Sequence, residues 1–205
     1  MVCSVYTLGI NGIRGSVITT ECYISNGLPA FDIVGLPDTA VKEARERVRA
    51  AAKTSNLRFP TGRITINLSP ADQKKVGTHY DLPILLGIMC ASGAVRRPRS
   101  NCAFIGELSL DGKIRPVTGV LPMAIAAKQH GFETVYVPAQ NAAEATLARG
   151  PAIIPVHTVA ELVSALNGES VLEEEQIWVP EHNTDAVLDF KDVMGQENAK
   201  RAMEI

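Results

Sequence analysis

Apolar and polar residues alternate along 64–69, with Ile64, Ile66 and Leu68 set against Thr65, Asn67 and Ser69. That is the period of a strand with one buried face. A polar loop carrying Lys74 and Lys75 follows and ends in Thr78-His79-Tyr80. Asp81 then stands where a helix N-cap is expected, ahead of the apolar run Leu82, Pro83, Ile84, Leu85, Leu86, Ile88 and Met89. Proline is tolerated in a first helical turn because those N–H groups lack intrahelical partners. The stretch therefore reads as strand, loop and buried helix. Its Asp81 is either a plain cap, contributing about 1 kcal/mol, or part of a polar site at a helix N-terminus.

Around this centre, Val2–Leu8 and Arg14–Ile24 are strand-like runs flanking Asn11-Gly12, a short hairpin signal. Ala30–Val34 is a third strand, which predicts an antiparallel start to the sheet. Asp38 caps a helix to about Ser55, whose apolar stripe is Val41, Ala44, Val48 and Ala52. Lys42, Arg45, Arg49 and Lys53 form a second stripe at the same spacing, while Glu43 and Arg47 are placed as an i,i+4 pair. Further strands are expected at Cys102–Leu108, Ile114–Val117, Val135–Val137 and Ile153–Val156, with a tight turn at Leu110-Asp111-Gly112-Lys113. Helices are expected at about 119–130, stopped by Gly131, at 141–149, and from a Thr158/Glu161 capping box through Leu166 to Gly168. These elements predict one mixed-sheet domain over 1–168, of the α+β or α/β class. Residues 169–188 read as an acidic linker whose Trp178 packs back on the domain, and a new amphipathic helix begins after Asp189.

The net charge of −2 conceals a division. Residues 1–168 carry 17 Lys and Arg against 12 Asp and Glu, and residues 169–205 carry 3 against 10. Between 42 and 75, nine basic groups face three acidic ones, a balance that attracts a polyanion or forms a solvated helix face. The apolar content of 46% supports a real core, built from aliphatic side chains since aromatics are only 5%. No run approaches the roughly 18 apolar residues of a membrane span, and the start lacks a basic signal-peptide region, so a cytoplasmic location is expected. Cys3, Cys22, Cys90 and Cys102 are expected as reduced buried thiols. Neither they nor His79, His130, His157 and His182 show metal-ligand spacing. Ser69, His79 and Asp72 or Asp81 sketch a hydrolytic triad, but no G-x-S-x-G elbow accompanies Ser69. No G-x-x-x-x-G-K-[ST] or G-x-G-x-x-G loop occurs in the chain.

The tail, with Asp189, Val193, Gly195, Gln196, Ala199, Lys200 and Ala202, resembles the entry segment of magnesium-chelatase-like AAA+ ATPases. Gly35-Leu36-Pro37-Asp38, INLSPAD at 66–72, HYDLPI at 79–84 and GELSLDG at 106–112 extend the likeness. Together they resemble the amino-terminal domain of the ComM/YifB family across essentially the whole chain. The resemblance implies a Lon-protease-like (ribosomal protein S5 domain 2-like) α+β fold, with the ATPase domain starting at 189. It implies a cytoplasmic, hexameric ATPase or helicase acting on single-stranded or branched DNA in natural transformation. ATP and Mg2+ would bind a phosphate-binding loop after Ile205. In similar Lon domains a serine nucleophile and a lysine base do the chemistry; those positions fall here on Asp81 and Leu121, which supply neither. The implied role is a noncatalytic module that binds DNA through Lys42, Arg45, Arg49, Lys53, Lys74 and Lys75. The alternative is a scaffold that sets hexamer assembly without touching DNA.

Overall fold

A computed structural model of the chain describes residues 2–179 and 192–204; His182 and Asp189 lie outside them. The main sheet contains β1 (Val2–Asn11), β2 (Arg14–Ser25), β3 (Ala30–Val34), β4 (Arg63–Ser69), β5 (Cys102–Phe104), β8 (Thr134–Pro138) and β9 (Ala152–Val156). Their order is β3-β4-β2-β1-β5-β8-β9, while β6 (Glu107–Leu108) and β7 (Ile114–Arg115) pair separately. β1, β2 and β4 run antiparallel to their neighbours among themselves, whereas β3, β5, β8 and β9 join in parallel. The expected antiparallel start is thus broken at β3, whose return through a helix leaves it parallel to β4.

The β1–β2 turn sits one residue later than Asn11-Gly12 suggests. Asn11 pairs with Arg14, so Gly12 and Ile13 form the loop, and the positive φ of 61° falls on Gly12. A glycine in the first loop position is the requirement of a type II′ hairpin. The run Cys102–Leu108 is likewise two strands rather than one. Between them Gly106 accepts a hydrogen bond from Leu82 N at 3.1 Å and donates to His79 O at 3.2 Å. A Cβ at Gly106 would meet Ile114 Cγ2 at 2.7 Å, so a larger residue there would have to displace the Ile114 side chain.

Side chains alternate between two faces of the sheet. Cys3 and Val5 of β1, Ile18 and Cys22 of β2, and Ile64, Ile66 and Leu68 of β4 share one core with α1 (Thr39–Thr54), α2 (Asp81–Ser92) and α5 (Val159–Asn167). Leu8, Ala103, Val135 and Ile153 share the other with α3 (Val120–Gln129) and α4 (Ala142–Thr146). The result is helix–sheet–helix layering around a mixed α+β sheet. All of α2 from Asp81 to Ala91 is buried, which explains why its sequence shows no amphipathic period. The acidic segment beyond α5 is tied to the β9 end, with Glu175 N donating to Ile153 O at 2.8 Å and Trp178 N to Thr146 Oγ1 at 3.0 Å. The tail helix α6 spans Glu197–Glu204.

Candidate functional site

Asp81 is not a cap. It is the first residue of α2, fully buried, and Tyr80 precedes it at the cap position without a side-chain cap bond. Its carboxylate accepts from Arg47 Nε at 2.6 Å and Nη2 at 2.9 Å, and from Leu108 N at 3.2 Å. Arg47 also donates to Ala40 O at 2.9 Å, so it turns inward rather than joining Glu43 on the helix surface. The signal was available in the spacing: Arg47 lies three residues after Ala44 and four before Ala51, both on the buried stripe. Burial pushes the Asp81 carboxyl up, against the pull of Arg47 and the Leu108 amide. Its hydrogen bond to that carboxylate drives the Arg47 guanidinium up as well. The first shift opposes the ion pair and the second favours it. Three N–H groups converging on one carboxylate decide for the ionised pair.

Leu121, where the resemblance would place the lysine base, does not share this environment. It packs partly buried against the α3 core and its amide donates to Glu144 Oε1 at 3.1 Å, whereas Tyr80 and Leu82 beside Asp81 belong to the opposite core. A nucleophile and its base must lie within hydrogen-bond reach, and these two positions carry neither group. The sketched triad fares no better. His79 is buried, its Nε2 has no hydrogen-bond partner, and burial lowers its pKa to about 4. A base so weak, and with that nitrogen unengaged by any serine, cannot activate Ser69 near neutral pH. The four cysteines are free and buried, and no cluster able to hold a metal occurs among the described residues. The G-x-x-x-x-G-K-[ST] pattern that cradles nucleotide phosphates does not occur in the sequence.

The basic stripe is largely where its spacing placed it. Lys42, Arg45, Arg49 and Lys53 are exposed along α1, beside the buried stripe of Val41, Ala44, Val48 and Ala52. Arg45 donates to Phe31 O on β3 at 3.4 Å, and Arg49 sits 5.7 Å from the Phe31 ring centroid and 5.9 Å from that of Phe59. These contacts hold the guanidinium groups over the β3 edge while leaving donors free. Between α1 and β3 runs a groove of about 490 Å³, lined in part by Asp32, Lys42, Arg45 and Arg63. Lys74 is exposed on the neighbouring loop. Lys75 corrects the expectation of a surface cation: it is fully buried, and its ammonium donates to Pro70 O and Gln73 O. Its backbone also bridges to Leu36 O and Asp38 N, so Lys75 fastens its loop to the start of α1. Of two adjacent lysines, sequence alone gives no sign which turns inward.

Comparison with known proteins agrees with this architecture. The family model described as subunit ChlI of Mg-chelatase matches residues 20–141. The chain is 37% identical over 209 residues to the competence protein ComM of Haemophilus influenzae, covering 98% of this chain and 40% of ComM. It is 38% identical over 207 residues to YifB of Escherichia coli, with the same coverage. It therefore spans 40% of the length of these relatives. The Lon protease of Mycolicibacterium smegmatis is 26% identical over 140 residues, 65% of this chain and 18% of that protease, in keeping with a Lon-like mixed sheet. The chain belongs to the family described as subunit ChlI of Mg-chelatase, and within it resembles the ComM and YifB proteins along 98% of its length.

Proposed function

We propose that this domain is a noncatalytic module of a ring-forming AAA+ ATPase of the ComM type and that it grips DNA by its phosphates. The observation that carries the reading is the exposed row Lys42, Arg45, Arg49 and Lys53 along α1, with Lys74 exposed on the loop that Lys75 fastens to the start of that helix. Such a row positions a backbone without reading bases. A noncatalytic role is supported by Asp81, whose carboxylate is consumed by Arg47 and Leu108 where a nucleophile would have to be free. Branch migration of DNA during natural transformation is the activity we assign to the whole protein, powered by ATP bound outside these residues and performed as a hexamer in the cytoplasm.

The test is fluorescence anisotropy of labelled single-stranded and forked DNA titrated with the 205-residue chain across a salt series. Affinity is expected to fall as salt rises, with a log–log slope that loses about 0.7 for each single-strand phosphate contact removed. Lys42→Glu with Arg45→Glu and Arg49→Glu should abolish binding and leave folding intact. Absence of binding at low salt by the folded chain would overturn the reading in favour of a scaffold that sets ring assembly.

A further inference from the structure

Cys3 of β1, Cys22 of β2 and Cys90 of α2 meet in the core on one face of the sheet. Cys3 and Cys22 are partners across the β1–β2 ladder. A Cβ at Gly87, one turn before Cys90 on α2, would touch Cys22 Cβ at 3.4 Å. The Cys90 thiol hydrogen-bonds the sulfur of Cys3 and also has Arg96 O at 3.6 Å.

Buried thiols are ordinarily inert, because the thiolate is the reactive form and burial opposes it. Cys22 and Cys102 follow that rule: burial pushes Cys22 up to about 12 and raises Cys102 as well. Cys3 departs from it. The hydrogen bond from Cys90 brings Cys3 down to about 7 against the push of burial, and the Arg97 guanidinium adds to the lowering. Cys90, as the donor, is kept a thiol by that same bond and by its burial. Cys3 is only 3% exposed, yet it lines a cavity of about 260 Å³ with Arg97, Arg99 and Ser100. A cavity of that size admits a small neutral oxidant and excludes a bulky disulfide.

We propose that Cys3 and Cys90 form a peroxide-reactive dithiol, with Cys3 as the nucleophile and Cys90 as the resolving thiol. The Cys3 sulfur attacks one peroxide oxygen and the O–O bond breaks. The other oxygen departs as hydroxide and becomes water with the proton that Cys3 had lost, leaving a sulfenic acid. Cys90 then attacks that sulfur. The S–S bond forms as the S–O bond breaks, and the hydroxyl leaves as water with the Cys90 proton. Two thiols and one peroxide thus become one disulfide and two waters, and the bridge ties β1 to the last turn of α2. None of these residues belongs to the α1 stripe, so the inference does not depend on the DNA reading.

To test it, the 205-residue chain is reduced, freed of reductant and exposed to hydrogen peroxide at neutral pH, and its non-reduced peptides are mapped by mass spectrometry. The expected product is a Cys3–Cys90 cross-link that dithiothreitol reverses, formed in the folded chain while Cys22 and Cys102 stay reduced. In Cys90→Ser the reaction should stop at a Cys3 sulfenic acid, trapped as its dimedone adduct. Arg97→Gln, at an exposed position, should move the pH dependence of Cys3 alkylation upward. The wild-type map needs neither variant, so a variant that fails to fold leaves the test intact. The proposal is overturned by a folded chain that gives no cross-link, by a bridge from Cys3 to Cys22 or Cys102, or by a cross-link that appears only in urea. A Cys3 alkylation profile no different from that of Cys22 overturns it too.

Discussion

Removing Asp81 should cost more than any surface substitution in this domain, and the structure sets the size of the loss. Asp81→Ala leaves the Arg47 guanidinium with two vacated N–H groups, the Leu108 amide without its acceptor, and a small void at the start of α2. Breaking a buried pair from one side costs about 3–5 kcal/mol. The Arg47 side chain is 19% exposed and can be reached by water, which places Asp81→Ala near the lower end, about 3 kcal/mol. Arg47→Ala strands a carboxylate that is 0% exposed, so its cost at neutral pH should be larger, about 4 kcal/mol. That cost should shrink as the medium is acidified, because the neutral carboxyl is cheaper to bury. Replacing both at once, with Arg47→Met and Asp81→Leu, removes both charges and should recover most of the loss. Urea unfolding followed by circular dichroism at pH 7 and pH 5, with unchanged denaturant slopes, measures all four chains. A loss below about 1 kcal/mol for Asp81→Ala, or single losses that simply add in the double variant, would refute the buried-pair argument.

Three further outcomes follow from the same geometry. Burial lowers His79 from an ordinary 6.5 to about 4. The unfolded chain therefore binds the proton first, and stability is complete above about 6.5 and falls by about 3 kcal/mol as pH drops toward about 4. His79→Gln should flatten that part of the pH profile, and an unchanged profile would show that another group is responsible. Thr158→Ala removes one half of the capping box, in which Glu161 N donates to Thr158 Oγ1 at 3.2 Å and Thr158 N to Glu161 Oε2 at 3.3 Å. It should lower the unfolding free energy by about 1 kcal/mol, measured by the same urea titration. Asp81→Ser should yield no peptidase activity against a casein substrate, because Leu121 offers no base and packs against the other core; measurable hydrolysis would contradict this.

What the sequence disclosed depended on whether a residue's role was local. The α1 cap at Asp38 and the capping box at Thr158 are set within a few residues, and both were legible. The stripe Lys42, Arg45, Arg49 and Lys53 was legible for the same reason, since one helix surface fixes its own spacing. Three features depend on segments far apart in the chain and were not. β3 turns parallel to β4 only because α1 carries the chain back across the sheet. Spacing puts Arg47 on the buried side of α1, but its partner is a carboxylate 34 residues away, which no local pattern names. Lys75 is drawn in by carbonyls of its own loop once that loop has been fastened to Leu36 and Asp38.

These non-local ties make Asp81 a point on which the orientation of the domain's α1 surface depends. Arg47 lies on α1 among the stripe residues, and its grip on Asp81 joins α1 to the buried helix α2. Lys75 and Asp38 secure the opposite end of the link, where α1 begins. α1 is thereby held at both its start and its middle, with its cations facing outward. A serine at position 81 would offer one hydroxyl to a guanidinium that now makes two bonds to a carboxylate. The carboxylate at the position where the resemblance to Lon domains would put a serine is thus the same group that orients the basic face, and losing it should loosen that face before the rest of the fold. Hydrogen exchange in Asp81→Ala is expected to rise first in 39–54, ahead of the β1 and β2 amides. Protection lost evenly across the sheet would show that the pair supports the core as a whole and not α1.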